Sequence, residues 1–513
     1  MVDLNASDHH VISTALAMGC QATATITDPV LARVIGQILA TTHPDHDLAV
    51  SDLRLTRPDT LLADLRHLKG TASLVVRTHA CPSRRHERTN TVGQTHLDLS
   101  GMAALLKPGG HLAVVTGLHH GQEDPVDPAP ALIAEAQRAG LLYLQHIIAL
   151  RVPVRGERLE PPLTWGVPRT GAADGGLPIS ARVHSDLYIF TRPRTASITS
   201  ADENVTDPVL GESAWLEGAG VIKMTTSVWA TGQQPSRSQR RHRYLPESMQ
   251  HPGKMLPAIA ARAIDTYTQP GDLVIDPMCG IGTTLVEAVH QRRNAAGVEY
   301  EADWAKLAVA NLAHARRQGA TGSGTVLAGD ARGIAHLLPD LAGQAALVLT
   351  SPPYGSATHG HIRSTRDTGE PGIHKWNQRY SRDRANLAHQ SLPVLLDGFA
   401  QILTGCRALL RSDGVIAVTV RPYRHRGELI DLPGHVQKIA ERVGLVLADR
   451  IVCLLCGLGQ DAILNRASFF QLHEARKGWA RGLPIHATAH EDLLIFFDRT
   501  RSPATTSGYS NAA

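Results

Sequence analysis

The stretch VIDPMCGIGTTLVEA, residues 274–288, decides the fold of this chain. Its first residues are apolar and β-branched, which predicts a buried strand that ends at Asp276. Gly280 and Gly282 follow, and glycine lets the backbone turn sharply and approach a ligand closely. A helix is predicted to begin near Thr283. Strand, turn and helix together predict a parallel α/β sheet with a binding site at its edge.

The strands that follow carry acidic residues at their ends. Glu299 ends the strand NAAGVEY, where a carboxylate can accept hydrogen bonds from both hydroxyls of a ribose. Asp330 ends the third strand, in LAGDA, where it can accept from an adenine amino group. The N-terminus of the helix offers free N–H groups to a carboxylate-bearing amino-acid group. These tips predict a nucleoside pocket.

Two other interpretations of the glycine turn remain open. The turn could connect strand and helix without binding any ligand. It could also bind a nicotinamide cofactor, but such sites usually have the pattern GxGxxG. Leu285 stands where the third glycine would be.

A second motif, LVLTSPPYG at residues 347–355, places a polar residue, two prolines and an aromatic ring after an apolar strand. Proline fixes φ and stiffens the loop. The Pro352 carbonyl and the Ser351 hydroxyl can each accept a hydrogen bond from an exocyclic amino group, which exposes the lone pair of that amine. Tyr354 offers a ring face for an extruded base. The alternative is a Pro-Pro turn that only closes the strand.

Together these motifs resemble the amino-group DNA methyltransferases. DPMCGIGTT resembles the S-adenosylmethionine motif of that family, and SPPY resembles its catalytic tetrapeptide. HPGKMLPAIAARAI, residues 251–264, is similar to the segment that closes over the methionine group. The resemblance covers about residues 229–500. It implies a Rossmann-like α/β sheet of the S-adenosylmethionine-dependent methyltransferase type.

The resemblance also implies a cofactor, a target and a set of site residues. The cofactor is S-adenosyl-L-methionine and the partner is DNA, with RNA less favoured. Ser351 in the first position of the tetrapeptide points to N4 of cytosine, whereas Asp or Asn there is more usual for N6 of adenine. The catalytic residues are Ser351, Pro352, Pro353 and Tyr354. The cofactor-binding residues are His251, Lys254, Asp276, Met278, Cys279, Gly280, Gly282, Thr283, Thr284, Glu299, Tyr300, Asp330 and Ala331.

Two further hypotheses stay open. The motif order also resembles tRNA guanosine N2-methyltransferases of the THUMP-containing type, although residues 1–200 contain no clear THUMP-like domain. A catalytically silent nucleic-acid-binding pseudoenzyme is the third hypothesis.

Basic and aromatic residues follow the tetrapeptide in GSATHGHIRSTRDTGEPGIHKWNQRYSRDRAN, residues 355–386. Cations suit phosphates and aromatic rings suit stacked bases, so this insertion is predicted to contact nucleic acid, unless it is a solvated surface loop. The predicted contacts are Arg363, Arg366, Lys375, Trp376, Arg379, Tyr380 and, after the strand GVIAVTV, Arg421. A second basic cluster comprises Arg237, Arg240, Arg241 and Arg243.

Residues 71–196 repeat the same alternation of strands and helices. LVVRTH (74–79) matches LVLTSP (347–352), LLKPGGHLAVVT (105–116) matches LLRSDGVIAVTV (409–420), and SDLYIF (185–190) matches EDLLIF (491–496). We interpret this as an internal duplication whose N-terminal copy lacks the glycine turn and the tetrapeptide. The predicted domains are 1–196, a degenerate methyltransferase-like domain; 197–250, a basic linker; 251–500, the catalytic domain; and 501–513, a disordered tail.

Composition bounds the remaining possibilities. The chain has 513 residues, 43% hydrophobic and 19% charged, which indicates a globular protein of more than one domain. No signal peptide or membrane-spanning run is predicted, and a cytoplasmic location follows. The CxxC of Cys453 and Cys456 lies in an apolar run and is interpreted as core. His359, His361 and His374 are too loosely spaced for a predicted metal site, and the oligomeric state is left open.

Overall fold

The computed structural model describes most of the chain. The described residues are 1–78, 98–120, 125–155, 158–159, 180–194, 226–354, 361–363, 374–376, 383–425, 427–459, 463–464, 466–467 and 469–500. They form two compact units: Met1–Thr116, Leu132–Ile147 and Asp186–Thr225 make up the first, and Gly117–Ala131, Ile148–Ser185 and Thr226–Ala513 the second.

The first sheet has seven strands. They are β1 (Val2–Leu4), β2 (Ala22–Ile26), β3 (Ser51–Leu55), β4 (Ala72–Thr78), β5 (Leu106–Thr116), β6 (Leu142–Leu150) and β7 (His184–Thr191). Their order is β3-β2-β1-β4-β5-β7-β6. The first five strands pair in parallel, and β7 runs antiparallel to β5.

The second sheet has eight strands. They are β8 (Val228–Trp229), β9 (Leu273–Asp276), β10 (Asn294–Glu299), β11 (Gly324–Ala328), β12 (Ala345–Thr350), β13 (Leu410–Val420), β14 (Val446–Leu454) and β15 (His490–Phe497). Their order is β8-β14-β15-β13-β12-β9-β10-β11. Only β15 runs antiparallel to its neighbours β13 and β14. Without β8, this is the strand order of the first sheet.

The two sheets also share one irregularity. The ladder between β4 and β5 shifts register between Ala72 and Leu74, and the ladder between β12 and β13 shifts at the matching place. A glycine lies at each shift because a Cβ there would meet a backbone oxygen. At Gly110 this would be the Ala72 oxygen at 2.7 Å, and at Gly414 the Ala345 oxygen at 2.5 Å. The predicted second α/β sheet of the same type is therefore present, down to its local backbone detail.

Helices cover these sheets. The longer ones are α1 (His10–Ala17), α2 (Pro29–Thr42), α3 (Leu99–Leu105), α4 (Ala129–Arg138), α5 (Ser236–Arg240), α6 (Pro257–Tyr267), α7 (Thr283–His290), α8 (Ala302–Arg317), α9 (Leu392–Leu409), α10 (Leu432–Arg442) and α11 (Phe469–Trp479). The central strands of the second sheet are buried on both faces, since neighbouring residues Val274 and Ile275 of β9 belong to two different core clusters. Parallel strands covered by helices on both sides show this continuous apolar pattern.

Helix α9 is the one described helix that is long and apolar enough to span a membrane. The match is one of length and composition only, and the absence of a membrane span stays a prediction. Phe399, Leu403 and Cys406 of this helix are fully buried in the core of the second unit. The pattern there belongs to a core helix.

The structure also changes two details of the predicted domain organisation. Residues 117–131 and 148–185 group with the second unit, so the predicted domain 1–196 is not continuous. Residues 226–250 are not a free linker, because Trp229 in β8 is fully buried and α5 packs against α6. The predicted disordered tail, 501–513, lies outside the described residues. Cys453 and Cys456 are buried, in agreement with a role in the core.

Candidate active site

The glycine turn lies at the carboxyl edge of the second sheet, between β9 and α7. Gly280 has φ of 54° and Gly282 has φ of 81°, a region that side chains other than glycine rarely adopt. A Cβ on Gly280 would lie 3.1 Å from Nε2 of His251. Gly282 is the N-cap of α7 and has no side chain to occupy the first N–H groups of the helix. These groups remain available to a polar or anionic ligand.

Asp276 holds the turn from within. Its Oδ1 accepts from the Met278 N–H at 3.1 Å, and its Oδ2 accepts from the Thr284 hydroxyl at 2.7 Å. Burial raises the pKa of this carboxyl to about 6, although both hydrogen bonds favour the charged form. The side chain therefore ties the end of β9 to the first turn of α7.

Glu299 connects the turn to the tip of β10. Its two oxygens accept from the Gly280 N–H at 2.8 Å and from the Glu301 N–H at 2.9 Å. Burial raises the pKa of Glu299 to about 7. Each carboxylate oxygen has two lone pairs, so both can also accept from a ligand hydroxyl. The predicted ribose-binding role is compatible with this geometry.

Asp330, which lies just after β11, is more exposed to solvent than Asp276 and Glu299. Asp330 caps the short helix Ala331–Gly333 and forms an ion pair with Arg332, whose Nε lies 2.9 Å from Oδ2. The hydrogen bonds from Arg332 lower the pKa of Asp330. Ala331 is buried beside it. Asp330 stays charged at neutral pH, but it shares its oxygens with Arg332.

The segment before α6 carries His251 and Lys254. The Lys254 ammonium donates to the Met249 carbonyl at 3.3 Å and to the His251 carbonyl, so it closes its own loop. Burial lowers the pKa of Lys254 to about 8. The His251 ring is buried and packs edge-on against Trp304, with 4.8 Å between ring centroids. Both residues line the cavity, with Lys254 acting through backbone carbonyls.

Asn311 on α8 is a buried residue that the sequence analysis missed. Its amide nitrogen donates to the Ile281 carbonyl and to the Ser248 hydroxyl, both at 2.9 Å, and its oxygen accepts from the Leu245 N–H at 2.9 Å. It therefore connects the glycine turn to the segment that carries His251. The available signal was a lone amide among small residues on the buried face of α8.

The Ser351 loop follows β12 at the same edge of the sheet. Ser351 and Tyr354 are half-buried and Pro352 is buried. The Tyr354 ring lies edge-on to the Tyr423 ring at 6.2 Å, and the Arg421 guanidinium carbon lies 5.6 Å from the centre of the Tyr354 ring. These contacts hold Tyr354 in place at the cavity wall.

One cavity of about 680 Å³ joins the glycine turn to the Ser351 loop. It is lined by all four predicted catalytic residues and by the predicted cofactor residues His251, Lys254, Asp276, Met278, Cys279, Gly280, Thr283, Thr284, Glu299, Tyr300, Asp330 and Ala331. Gly282 lies beneath this surface, where an added Cβ would lie 3.2 Å from the Ala308 Cβ. The volume suits a ligand of nucleoside size together with a second group.

Most of the basic insertion, residues 355–386, lies outside the described residues. Arg363 lies in the strand His361–Arg363, which pairs antiparallel with His374–Trp376, the strand of Lys375 and Trp376. Their side chains, and the residues Arg366, Arg379, Tyr380 and His359, lie outside the described residues. The end of the insertion contacts the cofactor side, because the Tyr300 hydroxyl donates to Asp383 at 2.6 Å.

Two of the four arginines in the second basic cluster form contacts within the protein. Arg240 is buried and donates to the Ser236 hydroxyl at 2.6 Å and to the Met255 carbonyl at 2.5 Å. Arg243 forms an ion pair with Glu287 at 2.7 Å. The donors of these two side chains hold α5 and α7 in place.

Comparison with known proteins gives one family. The family model described as DNA methylase matches residues 99–310, from α3 through the glycine turn to α8. The matched range ends before the Ser351 loop.

Solved structures are similar only at a low level. A TehB-like S-adenosylmethionine-dependent methyltransferase from Corynebacterium glutamicum is 13% identical, over 47% of this chain and 87% of its own, with a TM-score of 0.25. TrmN from Thermus thermophilus is 16% identical, over 51% and 53% of the two chains, with a TM-score of 0.29. We draw no functional argument from likenesses at this level.

The strand order defines a Rossmann-like α/β fold, and the family match over residues 99–310 supports a methyltransferase. Residues 99–310, less than half of the chain, are similar to the amino-group DNA methyltransferases, a family that uses S-adenosylmethionine as its cofactor.

Proposed function

We propose that this protein is an S-adenosylmethionine-dependent DNA methyltransferase that modifies N4 of cytosine after flipping the base out of the duplex. One observation carries the proposal: the glycine turn and the Ser351 loop line the same cavity. A methyl donor and a target amine bound at these two places would meet. The N-terminal sheet, on this proposal, is a duplicated copy that has lost its cofactor site.

The residues of the chain suggest how the reaction proceeds. S-adenosylmethionine supplies an electrophilic methyl group when bound. The Ser351 hydroxyl and the Pro352 carbonyl accept hydrogen bonds from the target amine and free its lone pair. Methyl transfer to that nitrogen would break the sulfur–carbon bond and leave a neutral thioether, and the extra proton of the amine would pass to solvent. No covalent enzyme intermediate is needed, which agrees with the buried position of Cys279.

The proposal has biological consequences that rest on the family alone. A DNA methyltransferase of this kind would act in the cytoplasm, in modification or self-marking of DNA. The two other hypotheses, a tRNA guanosine N2-methyltransferase and a silent pseudoenzyme, receive no specific support from the cavity.

Incubation with labelled S-adenosylmethionine separates these functions. Unmethylated genomic DNA and tRNA are offered in parallel, and the nucleosides are then identified. We expect label in N4-methylcytosine from DNA. Label in tRNA alone would contradict the DNA assignment, and no label in either would favour the pseudoenzyme. The variant Ser351→Ala serves as the control, with cofactor affinity retained and label reduced.

A further inference from the structure

The sheet order assigns the two sides of the cavity to two ligands. Strands β9, β10 and β11, which carry the cofactor residues, lie on one side of β12, and β13 and β15 lie on the other. A target base held at the end of β12 would therefore lie beside the tips of β13 and β15. The charged side chains at these two tips are Arg421 and Glu491, and both line the cavity.

Arg421 and Glu491 lie side by side by register. Val420 pairs with Asp492 across β13 and β15, so the next residue outward on each strand is Arg421 and Glu491 respectively. The Arg421 Nε lies 4.0 Å from Oε1 of Glu491, and the Thr419 hydroxyl donates to Oε2 at 3.2 Å. Glu491 is therefore fixed by the neighbouring strand β13 and steadies the guanidinium. The Arg421 guanidinium carbon also lies over the Tyr354 ring, 5.6 Å from its centre.

The other arginines that line the cavity bind groups of the protein away from the Tyr354 ring. Arg466 donates through Nε to the Gly232 carbonyl at 2.7 Å and through Nη2 to the Gln233 carbonyl at 2.8 Å. Arg332 pairs with Asp330 on the cofactor side. Arg421 is thus the arginine on the base side whose guanidinium both borders the Tyr354 ring and faces the cavity.

We propose that Arg421 selects cytosine by donating two hydrogen bonds to its N3 and O2 atoms, with Glu491 as a positioning residue. The proposal rests on the methyltransferase function given above. When the amino group lies against Ser351, cytosine presents two adjacent acceptors on the same edge, which match the two parallel N–H groups of a guanidinium. Adenine presents N1 beside a C–H group and offers one acceptor. Guanine held by N2 presents its N1–H donor, which a guanidinium repels.

The test first requires the site that the wild type methylates, found by sequencing labelled genomic DNA. A duplex with that site is then prepared with cytosine or with 3-deazacytosine, which lacks N3, at the target. We compare the wild type with Arg421→Met, Arg421→Lys and Glu491→Gln. The exposed arginine of α10 supplies a matched control, Arg442→Met, which removes the same charge far from the described cavity lining.

We expect Arg421→Met to lower kcat/KM on the cytosine duplex by about tenfold to a hundredfold, the range of a lost bidentate contact to a base. Its affinity for S-adenosylhomocysteine stays within about twofold of the wild type, which shows that the domain is folded. On 3-deazacytosine the difference between wild type and Arg421→Met shrinks strongly. Arg421→Lys recovers part of the rate, Glu491→Gln loses less than Arg421→Met, and Arg442→Met behaves as the wild type.

Distinct results overturn the two levels of the argument. An equal loss on both bases would mean that Arg421 only supports Tyr354, and full activity of Arg421→Met would remove the proposal while the methyltransferase function stands. If the wild type itself methylates adenine or guanine instead of cytosine, both the cytosine assignment and the role of Arg421 fall. A loss of rate in Glu491→Gln with none in Arg421→Met would transfer base selection from Arg421 to Glu491.

Discussion

Apart from β8, the two sheets have the same strand order, and they differ in the residues at the ends of their strands. In each, an aspartate ends or nearly ends the first strand, Asp3 in β1 and Asp276 in β9, and the following helix begins seven residues later, at His10 and at Thr283. Burial raises the pKa of both carboxyls, to about 7 for Asp3 and to about 6 for Asp276. The scaffold and its buried acid are therefore present in both sheets, and they do not distinguish a cofactor site from a turn that binds no ligand.

The turns differ in the residues that allow a ligand to approach. At the place of Gly282, with φ of 81°, the first sheet has His9 with φ of −89°. At the place of Gly280 it has Ser7. Both turns still donate the same backbone bond to the neighbouring strand, from Ala6 to Thr25 at 2.8 Å in the first sheet. The backbone connection persists, but the glycine conformation that exposes the helix N-terminus is lost.

The other tips differ by side chain. Register places Ile26 of the first sheet where Glu299 lies in the second, and Arg57 where Asp330 lies. An apolar residue and a cation replace two carboxylates that would accept from a nucleoside. The comparison shows that both sheets have an edge where a ligand could bind. Four or five residues at the strand ends decide whether that edge binds a ligand.

The largest expected effect is on the pair of aspartates. Asp276→Ala removes the acceptor of two hydrogen bonds that hold the turn, so we expect the affinity for S-adenosylhomocysteine to fall by about a hundredfold. Asp3→Ala, the matched change in the first sheet, leaves that affinity within about twofold. Calorimetric titration measures both. Equal losses in the two variants would break the comparison, since they would place a cofactor role on the first sheet.

The base-stacking residue comes next. Tyr354→Ala removes a ring worth about 1–3 kcal/mol of stacking, so turnover on DNA should fall about tenfold to a hundredfold. Cofactor affinity should change little, because Tyr354 lies on the base side of the cavity. Single-turnover assays and calorimetry separate the two quantities, and a lost cofactor affinity with unchanged turnover would contradict the assignment.

The glycine conformation gives a sharper test of the turn. Gly280→Ala adds a Cβ 3.1 Å from the His251 ring at a φ of 54°. Left-handed backbone costs a non-glycine residue about 1–2 kcal/mol, so cofactor affinity should fall about tenfold. Ser7→Ala in the first turn is the control and should have no effect. If Gly280→Ala binds the cofactor as the wild type does, close approach at this position is not required.

Sequence reasoning found the turn and the tetrapeptide because glycine and proline constrain the backbone locally. The alternation of strands and helices and the matched pair LVVRTH and LVLTSP also indicated a second α/β sheet. Asp3 was missed because VDL is only three residues long and lacks the glycines that mark its counterpart.

Contacts between distant parts of the chain could not be predicted. The bonds of Asn311 to Ile281 and Ser248, and the fixed neighbourhood of Arg421 and Glu491, depend on which helix or strand lies beside which. Lys254 was assigned to the cofactor by resemblance, but its burial against carbonyls of its own loop is a property of the folded chain.

The pH dependence of cofactor affinity gives a test with a smaller expected effect on the second sheet. The pKa of Glu299 is raised from 4.5 to about 7, so the buried charge opposes folding more as pH rises through this interval. Cofactor binding has the opposite dependence, because the ionised carboxylate is the acceptor. Affinity for S-adenosylhomocysteine should therefore fall as pH decreases below 7, and Glu299→Gln should flatten this part of the profile.

The smallest expected effect is at the open tip. Asp330→Ala should weaken cofactor binding only about threefold to tenfold, because the carboxylate is partly exposed and shares its oxygens with Arg332. Arg57→Ala in the first sheet is the matched control and should leave the affinity unchanged. An unaltered dissociation constant for Asp330→Ala would mean that the adenine group lies elsewhere.

A crystal structure of the protein with S-adenosylhomocysteine tests the central claim most directly. The account predicts one molecule per chain, at the second sheet, between Gly280, Glu299 and Asp330, with its sulfur towards Ser351. A molecule bound at the tips of the first sheet, or a sulfur turned away from the Ser351 loop, would contradict it.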